Sequence, residues 1–514
     1  MAILDIAMTF LKLIAMKNLS LTLFFLLPFL LSAQKNFYKE FENTELCRYY
    51  VEKILELKNT NLLVVANKTP CEQDVTLSLS NFIILDAKGK ELNKTKFERD
   101  NKYVDVILDI VPFNNQYFAI GKAYDKKELS ITLVFYVLDA NFNVVSSKTI
   151  QPDKDNEYVE LYDVKLYLEG NQAYFSTTYV YGDFAFNPTI AMAGKIKTDF
   201  SNLIINTFST EFKSTVEGGL DITKRLDADG YLLDGYTTIY FLNDSLKLEK
   251  KQDAGFDDFD QRRRRYKNKY ITVAQNTFEV IPNDPLGPAK FDIGVKLLDA
   301  QLKVEKLALI GKSIAKGALR DTYDLPGRRG LSWKDPNKIY VCGLTFKEFK
   351  PTSLTDNDTW INVSQLDSNL VVKWTKYFWG DGSNSAFGVT ATDDGVIVYG
   401  SRDSLKSGIS NAFVMKLSSD GLLDEQNIDE FANTNIKIGP NPFKDYCTFA
   451  VDDVGDNRII KLEIFNVLGQ KEFSQELGTG LNKIDLAALS SGNYFYNLLI
   501  DNKLAKKGKL TKLN

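Results

Sequence analysis

The sequence contains no histidine in its 514 residues. Histidine is required for a Ser-His-Asp triad, a Cys-His dyad, an HExxH zinc site and a histidine-ligated haem, so all four are excluded. The sequence also lacks a Gly-x-Ser-x-Gly nucleophile elbow and a Cys-x-x-Cys pair. Hydrolysis by paired carboxylates stays open, because aspartates are plentiful and that chemistry needs no histidine.

A net charge of one sign is nearly absent as well. The chain has 67 acidic and 63 basic residues, which gives a formal net charge of −4. Because nucleic-acid-binding domains usually carry a basic excess or a basic stripe, we expect no nucleic-acid partner. Hydrophobic residues make up 44% of the chain, which is enough for large cores, and the length indicates at least two folded units.

Long apolar runs are limited to one, at Leu19–Leu31. It follows Met16-Lys17-Asn18 and precedes Ser32-Ala33-Gln34. A short basic start, an apolar stretch of this length and a small-residue exit are typical of a secretory signal peptide, whereas a membrane span needs about 20 residues. We predict a signal peptide at residues 1–34, with Met16 as the true start and no transmembrane span after its removal. The alternative is an N-terminal membrane anchor.

Cysteines number only four, and export would make them available for oxidation. Cys47 and Cys71 lie close in sequence near the mature N-terminus and are candidates for a disulfide, which would contribute about 3 kcal/mol. Cys342 lies in an apolar strand segment, and Cys447 shares a predicted strand face with Phe449. We expect these two to be buried free thiols.

A strand–turn–strand pattern recurs between residues 60 and 425. Its turn begins with an apolar residue, usually followed by Asp. Clear copies begin at Leu85, Leu138, Leu298 and Leu366, and weaker copies at Ile196, Leu242 and Leu417. Asp and Asn at such turns bond their own backbone and tolerate positive φ, as a tight hairpin requires.

A second mark precedes each turn and consists of four or five mostly apolar residues, ending in glycine in the clear copies. The clear copies are Tyr117–Gly121, Tyr231–Gly235, Ile339–Gly343 and Val396–Gly400, and the looser ones are Leu63–Asn67, Tyr174–Thr178 and Tyr270–Ala274. Seven strand repeats without helical patterning predict an all-β fold, a seven-bladed β-propeller over residues 35–430. Two β-sandwiches or a β-helix are the structural alternatives. Residues Trp374–Gly421 resemble repeats of secreted bacterial propellers.

The last eighty residues have a different pattern. A turn-rich entry at 439–445 precedes a half-buried strand with Ile460, Leu462 and Ile464 on one face. A turn follows at 465–470, and another strand begins near Tyr494. This pattern predicts a small antiparallel β-sandwich over residues 431–514.

Four motifs in this region occur in a specific order. They are Pro-Asn-Pro-Phe-x-Asp from Pro440, Leu-x-Ile-Phe-Asn-x-x-Gly from Leu462, Leu-x-x-Leu-x-x-Gly-x-Tyr from Leu486, and a lysine-rich end. Residues 435–514 thereby resemble the C-terminal sorting domain of the type IX secretion system of Bacteroidetes. The alternative is an adhesive sandwich domain.

The resemblance implies an Ig-like sandwich that the outer-membrane translocon recognises. A C-terminal signal peptidase then usually removes it, and the cargo is released or attached to surface lipopolysaccharide. The positions that match the family's signature are Asn441, Pro442, Asp445, Gly469, Gly492 and Tyr494.

Aspartates recur before the apolar mark, at Asp109, Asp163, Asp221 and Asp324. In a propeller they would begin the inner strands of their blades and face the central channel, where an acidic ring could hold a cation or a basic partner. The alternative is that each caps a local turn. Residues 227–230 (Asp-Ala-Asp-Gly) match half of a calcium loop, and we expect only a hairpin turn there. No dedicated metal or cofactor site is expected.

All four tryptophans lie between residues 333 and 379. Trp360 and Trp379 are the candidates to stack on a ligand, although packing between blades is the interpretation we favour for the group. The run Arg262–Arg265 follows a run of aspartates, and we expect a surface loop that neutralises itself.

These patterns favour an exported binding protein over an enzyme, secreted or attached to the outer-membrane surface, and leave the question of catalysis open. Its ligand would be a glycan or a protein, held by variable loops on rigid blades. One alternative is a secreted polysaccharide hydrolase with paired carboxylates in the channel. Another is a scaffold within a surface assembly. Fold alone does not separate them.

Overall fold

The computed structural model describes most of the chain after the predicted signal peptide, which lies outside the described residues. The described ranges are 36–43, 47–70, 79–99, 103–125, 131–150, 158–181, 190–209, 221–235, 238–253, 258–279, 290–311, 324–346, 359–379, 382–403, 410–423, 436–451, 459–478, 480–500 and 503–513. The chain divides into two compact units, Met1–Leu423 and Asp424–Asn514. The boundary predicted after residue 430 falls in 424–435, outside the described residues.

The described strands of the first unit form three four-stranded sheets and two eight-stranded sheets. Each eight-stranded sheet consists of two antiparallel groups of four joined by a single bridge, and we call the resulting groups blades 1 to 7. The first described strand, β1 (Phe37–Phe41), belongs to blade 7. Blade 1 contains β2 (Cys47–Glu56), β3 (Leu62–Pro70), β4 (Leu79–Leu85) and β5 (Glu91–Lys96). Blade 2 contains β6 (Tyr103–Phe113), β7 (Gln116–Asp125), β8 (Ile131–Leu138) and β9 (Val144–Ile150). Blade 3 contains β10 (Tyr158–Glu169), β11 (Gln172–Tyr181), β12 (Ile190–Lys197) and β13 (Ile204–Ser209).

Blade 4 contains β14 (Ile222–Lys224), β15 (Tyr231–Asp234), β16 (Thr238–Leu242) and β17 (Leu248–Asp253). Blade 5 contains β18 (Asp258–Tyr266), β19 (Lys269–Glu279), β20 (Lys290–Leu298) and β21 (Val304–Ile310). Blade 6 contains β22 (Asp324–Ser332), β23 (Ile339–Phe346), β24 (Thr359–Leu366) and β25 (Val372–Trp379). Blade 7 contains β26 (Ser383–Ala391), β27 (Gly395–Asp403), β28 (Ser410–Ser418) and β1.

The blades form a closed ring. A separate apolar cluster lies between every pair of neighbouring blades, including blades 7 and 1. The first strand of each blade is the inner one, and most inner strands contact the next inner strand around the ring. Because a single blade leaves both faces apolar, closure buries faces that no blade covers alone. The predicted all-β propeller is confirmed.

The first and last strands of this unit close the ring. Strand β1 pairs antiparallel with β28, from Phe37 opposite Lys416 to Phe41 opposite Ala412. Phe37 is buried, and the apolar cluster that contains it joins blade 7 to blade 1. The N-terminal segment therefore supplies the outer strand of the last blade and covers an otherwise unpaired edge.

Both repeat marks fall where the fold needs them. The seven apolar marks lie on the second strand of the seven blades, and the Asp turns follow the third strand. In the turn after β8, the Asp139 carboxylate accepts hydrogen bonds from the N–H groups of Asn141 and Asn143, at 2.8 and 2.9 Å. Phe142 has a φ of 67° in the same turn. The predicted turn chemistry is confirmed.

In blades 2, 6 and 7 the glycine that ends the second mark lies beside a bulge of the inner strand. Every inner strand except β14 has a register shift against its second strand, between Ile107 and Asp109 for example. A Cβ atom on Gly121 or Gly343 would overlap a backbone oxygen of the facing inner strand. The bulge bends the inner strand and redirects its side chains toward the middle of the ring.

The run Arg262–Arg265 corrects the prediction of a surface loop, because it lies within β18, the inner strand of blade 5. Arg263 is buried and pairs with buried Asp234 of blade 4, with Nη1 and Oδ1 2.9 Å apart. An arginine in this position connects two blades, so its partner comes from a different blade and not from the neighbouring aspartates.

The second unit is a two-sheet sandwich. One sheet contains β29 (Ile436–Gly439), β30 (Tyr446–Val451) and β33 (Gly480–Asp485). The other contains β31 (Ile460–Phe465), β32 (Lys471–Leu477), β34 (Gly492–Ile500) and β35 (Lys503–Lys512). One apolar core joins both sheets and includes Cys447 and Phe449. The predicted small sandwich is confirmed.

Cys342 and Cys447 are buried free cysteines, as predicted. Cys71 lies outside the described residues, so the proposed pair with Cys47 stays a prediction. The backbone of Cys47 lies opposite that of Pro70, next to Cys71 in sequence. The described residues contain no helix with the length and hydropathy to cross a membrane.

Candidate functional site

The predicted acids belong to inner strands. Asp109 lies in β6, Asp163 in β10 and Asp324 at the start of β22, and Asp221 directly precedes β14. Asp109, Asp221 and Asp324 are buried, and the side chain of Asp163 is outside the description. Asp324 begins its inner strand and Asp221 directly precedes one, as predicted for all four acids, whereas Asp109 and Asp163 lie in the middle of theirs. The structure does not bring the described three together into one ring.

Asp109 is held by two cations of the same chain. Arg329 Nη1 donates to its Oδ2 at 2.9 Å, and Lys53 Nζ lies 3.0 Å from its Oδ1. Its carboxylate also accepts the backbone N–H of Leu166 at 3.0 Å. The acidic-ring hypothesis included a basic partner for these acids. Asp109 has basic partners, but they are side chains of the same chain.

Arg329 extends from the bulge of blade 6 to three other blades. Its Nη2 donates to the backbone oxygens of Leu108 and Val164, at 2.7 and 3.1 Å, and lies 3.3 Å from Glu52 Oε1. Lys165 connects blade 3 back to blade 6, because its Nζ donates to the backbone oxygen of Arg328 at 2.8 Å. We call Glu52, Lys53, Asp109, Lys165 and Arg329 the channel network. It fastens blades 1, 2, 3 and 6 together.

The electrostatics of the channel network follow from burial and pairing. Burial alone would raise the pKa of Asp109, but Arg329, Lys53 and Lys165 outweigh it and hold that pKa well below its usual range. Burial is the largest influence on Lys53 and lowers its pKa, although Asp109 opposes it. Asp109 is therefore ionised and fully engaged. Glu52 shares the same arginine, so this pair differs from a glycosidase pair, whose second carboxyl must be free to hold a proton.

Asp324 belongs to a second polar group, between blades 5 and 6. Its carboxylate accepts a short hydrogen bond from the Thr345 hydroxyl, and the Asn362 amide lies beside both. Asp292, on β20 of blade 5, is buried close by. Burial raises the pKa of Asp292 to about 6.

The tryptophans pack as ordinary parts of the blades. Trp379, at the end of β25, contacts Phe413 and Tyr38 with ring centroids 5.0 and 5.1 Å apart, and Arg402 lies over its ring at 5.1 Å. Trp360 contacts Tyr377 edge to face, at 6.4 Å. Because neighbouring side chains cover the Trp379 ring, a ligand could stack on it only if they moved. Its use as a ligand platform stays a prediction.

The two ends of the blades differ in their connections. Antiparallel order places the connections between strands one and two, and three and four, at one end, which we call the turn face. The remaining connections lie at the other end, the loop face. Among the described strands of the first unit, no turn-face connection exceeds six residues. The longest loop-face connections are 210–221, 280–289, 311–323 and 347–358.

The signature residues of the second unit mainly hold its fold. The Asn441 side chain donates to the Lys509 oxygen at 2.8 Å and accepts the Thr511 N–H at 2.9 Å, which ties the entry turn to β35. Tyr494 is buried and donates from its hydroxyl to the Ser490 oxygen at 2.7 Å.

The remaining signature positions lie in turns or on the surface of this unit. Gly469 has a φ of 79°, in the left-handed region that favours glycine, and Gly492 has a φ of 154°. Pro442 is exposed. The backbone oxygen of Asp445 accepts the backbone N–H of Leu486 at 2.8 Å.

Residues 437–512 match the family model described as a secretion system C-terminal sorting domain. They are a sorting domain. The sorting domain implies handling by the type IX secretion system, and secretion or attachment at the cell surface. A search of curated proteins finds no match to the chain.

Three of the solved structures to which the chain is similar share little sequence identity with it. The WD40 domain of Neurospora crassa Pan2 is 7% identical, with 74% of this chain and 96% of that one covered and a TM-score of 0.37. A GH93 α-L-arabinofuranosidase of Fusarium graminearum is 12% identical, with 74% and 97% covered and a TM-score of 0.37. A GH43 endo-arabinanase of Bacillus licheniformis is 11% identical, with 54% and 99% covered and a TM-score of 0.28. The fold assignment rests on the sheet order of the chain itself.

The sequence interpretation missed the basic half of the channel network. Lys53, Lys165 and Arg329 sit at or beside bulges, where side chains leave the two-residue alternation. One signal for Arg329 was present, because Gly327 and Gly330 flank two arginines within an apolar strand. Glycines inside a strand pattern indicate a bulge or a close backbone approach.

Proposed function

We propose that residues 36–423 form an exported binding module whose ligand, a glycan or a protein, contacts the loop face. The observation that carries the proposal is the difference between the two faces. Turn-face connections are short and committed to backbone hydrogen bonds, as at Asp139 and Asp299. Loop-face connections vary in length, and loops on a rigid scaffold are where binding residues are usually found.

The channel network supports binding over hydrolysis. Its two acids, Glu52 and Asp109, are both engaged by Arg329. The channel network would therefore occupy the space that a ligand would need in the channel. The residues that recognise the ligand would lie in the loops around the rim.

We further propose that the translocon and its C-terminal signal peptidase are the partners of the sorting domain during export. The mature module then acts outside the cell, either released or held at the outer-membrane surface. Its role there is to bind, and the signature residues Asn441 and Tyr494 serve export by maintaining the sandwich.

Affinity electrophoresis of the mature chain tests the binding proposal. Native gels are cast with bacterial, algal or plant polysaccharides. A retarded band in an intact gel supports glycan binding, and a cleared track would show hydrolysis and overturn the proposal. Free migration in every gel excludes these glycans, and the protein-ligand form would then be tested by crosslinking at the cell surface.

Two variants locate the binding face. One replaces residues 347–358 of the loop face by a glycine–serine linker. Its matched control replaces the exposed turn-face residues Lys88, Asn141 and Gln301 by serine. We expect retardation to be lost in the first variant and kept in the second, and the reverse result would place the site on the turn face.

A further inference from the structure

Buried acids between blades usually face a base. Between blades 4 and 5, Asp234 meets Arg263, and across the channel Asp109 meets Arg329. Between blades 5 and 6, the buried acid Asp292 instead faces a second acid, Asp324, with 3% and 0% of their surfaces exposed. This junction brings two carboxylates together out of water.

Gly311 shows how closely they approach. A Cβ atom placed on Gly311 would lie 2.5 Å from Asp324 Oδ2 and closer still to Asp292 Oδ1. The two oxygens are therefore separated by less than twice that distance. Any side chain at position 311 would fill the space between them, so glycine keeps this space open.

Two neutral side chains, Thr345 and Asn362, lie beside Asp324. Thr345 donates its hydroxyl to Asp324 Oδ1, and Asn362 Nδ2 donates to Thr345 Oγ1 at 2.9 Å. Within the part of the chain that the structure describes, Asp292 Oδ1 and Asn362 Oδ1 are buried and accept no hydrogen bond. Asn362 has no exposed surface. Buried acceptors in this state normally have a partner.

The chemistry of the group selects the partner. Two adjacent buried carboxylates are stable as ions only beside a positive charge, and hard divalent cations favour carboxylate, amide and hydroxyl oxygens. No cluster of three or more His, Cys, Asp or Glu ligands occurs among the described residues. The site in question contains two acids, with the Thr345 hydroxyl and the Asn362 amide beside Asp324.

We propose that Asp292, Asp324 and Asn362 bind a divalent cation of the Ca²⁺ class at the junction of blades 5 and 6. Asp324 begins β22, Asp292 is near the start of β20 and Gly311 follows β21, so these residues lie at the loop-face ends of their strands. Connections 280–289, 311–323 and 347–358 leave from these same ends. The cation would fasten the bases of three long loops. The inference rests on the fold and not on the ligand proposal.

Calcium titration of the full mature chain tests the site. After EDTA treatment and dialysis, isothermal titration calorimetry with CaCl₂ is run on the wild type, D292N and the matched control D299N. Asp299 lies in the same blade but in a turn-face turn, where asparagine can make the same backbone bonds. We expect saturable binding in the wild type and D299N, and at least a tenfold weaker association in D292N.

A second variant keeps the test decisive if D292N fails to fold. N362D adds a carboxylate to the site, so we expect it to bind Ca²⁺ several-fold more tightly than the wild type. Absence of Ca²⁺ binding in the wild type, or equal affinity in all variants, would overturn the proposal. In that case a proton shared between Asp292 and Asp324 would hold the junction.

Discussion

Arg329 is the residue at which four blades meet. From blade 6 it bonds Glu52 of blade 1, Asp109 of blade 2 and the Val164 oxygen of blade 3. Its side chain is 6% exposed, so these bonds are formed largely out of water. Breaking a buried pair by removing one partner leaves an uncompensated charge, which is more costly than losing a surface ion pair.

We therefore expect R329M to lower the free energy of unfolding by about 3–5 kcal/mol. Urea unfolding followed by tryptophan fluorescence measures the change. The control is R265A, an exposed arginine of the inner strand β18, which should stay within about 0.5 kcal/mol of the wild type. Equal unfolding midpoints for R329M and R265A would contradict the role of the channel network.

Asp292 gives the protein a pH dependence of a defined sign. Burial raises its pKa from 3.8 to about 6, so the folded state binds this proton more tightly than the unfolded state does. Without divalent cations, this contribution to stability is present below pH 4 and is lost as the pH rises to 6.

The difference in unfolding free energy between the wild type and D292N, measured in EDTA, should fall as the pH rises from 4 to 6. Urea unfolding at intervals of half a pH unit measures it. D299N serves as the control and should track the wild type. A wild-type-minus-D292N difference that does not vary with pH would show that Asp292 titrates normally.

At the scale of elements, strand β1 closes the ring. Phe37 packs under Gly89, where any Cβ would meet the Phe37 ring, and in the cluster between blades 7 and 1. Truncating a buried phenylalanine usually costs about 3–5 kcal/mol. Without β1, the paired edge of β28 would be open to other chains.

We expect F37A to lower the unfolding free energy by that amount and to promote oligomers. Size-exclusion chromatography and urea unfolding measure the two effects. Lys39→Ala changes a partly exposed residue of the same strand and should remain monomeric and stable. A stable, monomeric F37A protein would show that the ring holds without this contact.

Asn441 has the corresponding role in the sorting domain, where it ties the entry turn to the last strand. N441A removes two hydrogen bonds and should lower the stability of this unit by about 1 kcal/mol. Thermal unfolding of the full chain, with K444A as an exposed control, measures it. If N441A leaves the thermal unfolding temperature of the sorting domain unchanged, Asn441 serves recognition and not folding.

The elements show how far the sequence could go. The Asp139 and Leu298 turns, the apolar marks and the order of motifs from Pro440 to Tyr494 depend on local backbone chemistry, so the all-β propeller and sandwich were predictable. The partners of Asp109 were not, because Arg329 is 220 residues away and reaches it through a bulge. The prediction of a self-neutralising loop at Arg262–Arg265 was wrong for the same reason. The position of an arginine in its strand, and not its neighbours in sequence, determines its partner.

At the scale of the molecule, we propose different tasks for the two units. The ring within residues 36–423 would support the ligand-binding loops, and the sorting domain implies handling by the type IX secretion system. The ring buries its own N-terminal strand and has its own apolar clusters. We therefore expect it to fold without the sandwich.

The division of tasks is tested most directly by locating the ring with and without the sorting domain. The full chain and a chain that ends at Leu423 are expressed in a host with a type IX secretion system, and both are quantified in the medium, on the surface and in the periplasm. The account predicts that the full chain reaches the outside and that the truncated chain stays folded in the periplasm. A truncated chain that is exported as efficiently as the full one would contradict it.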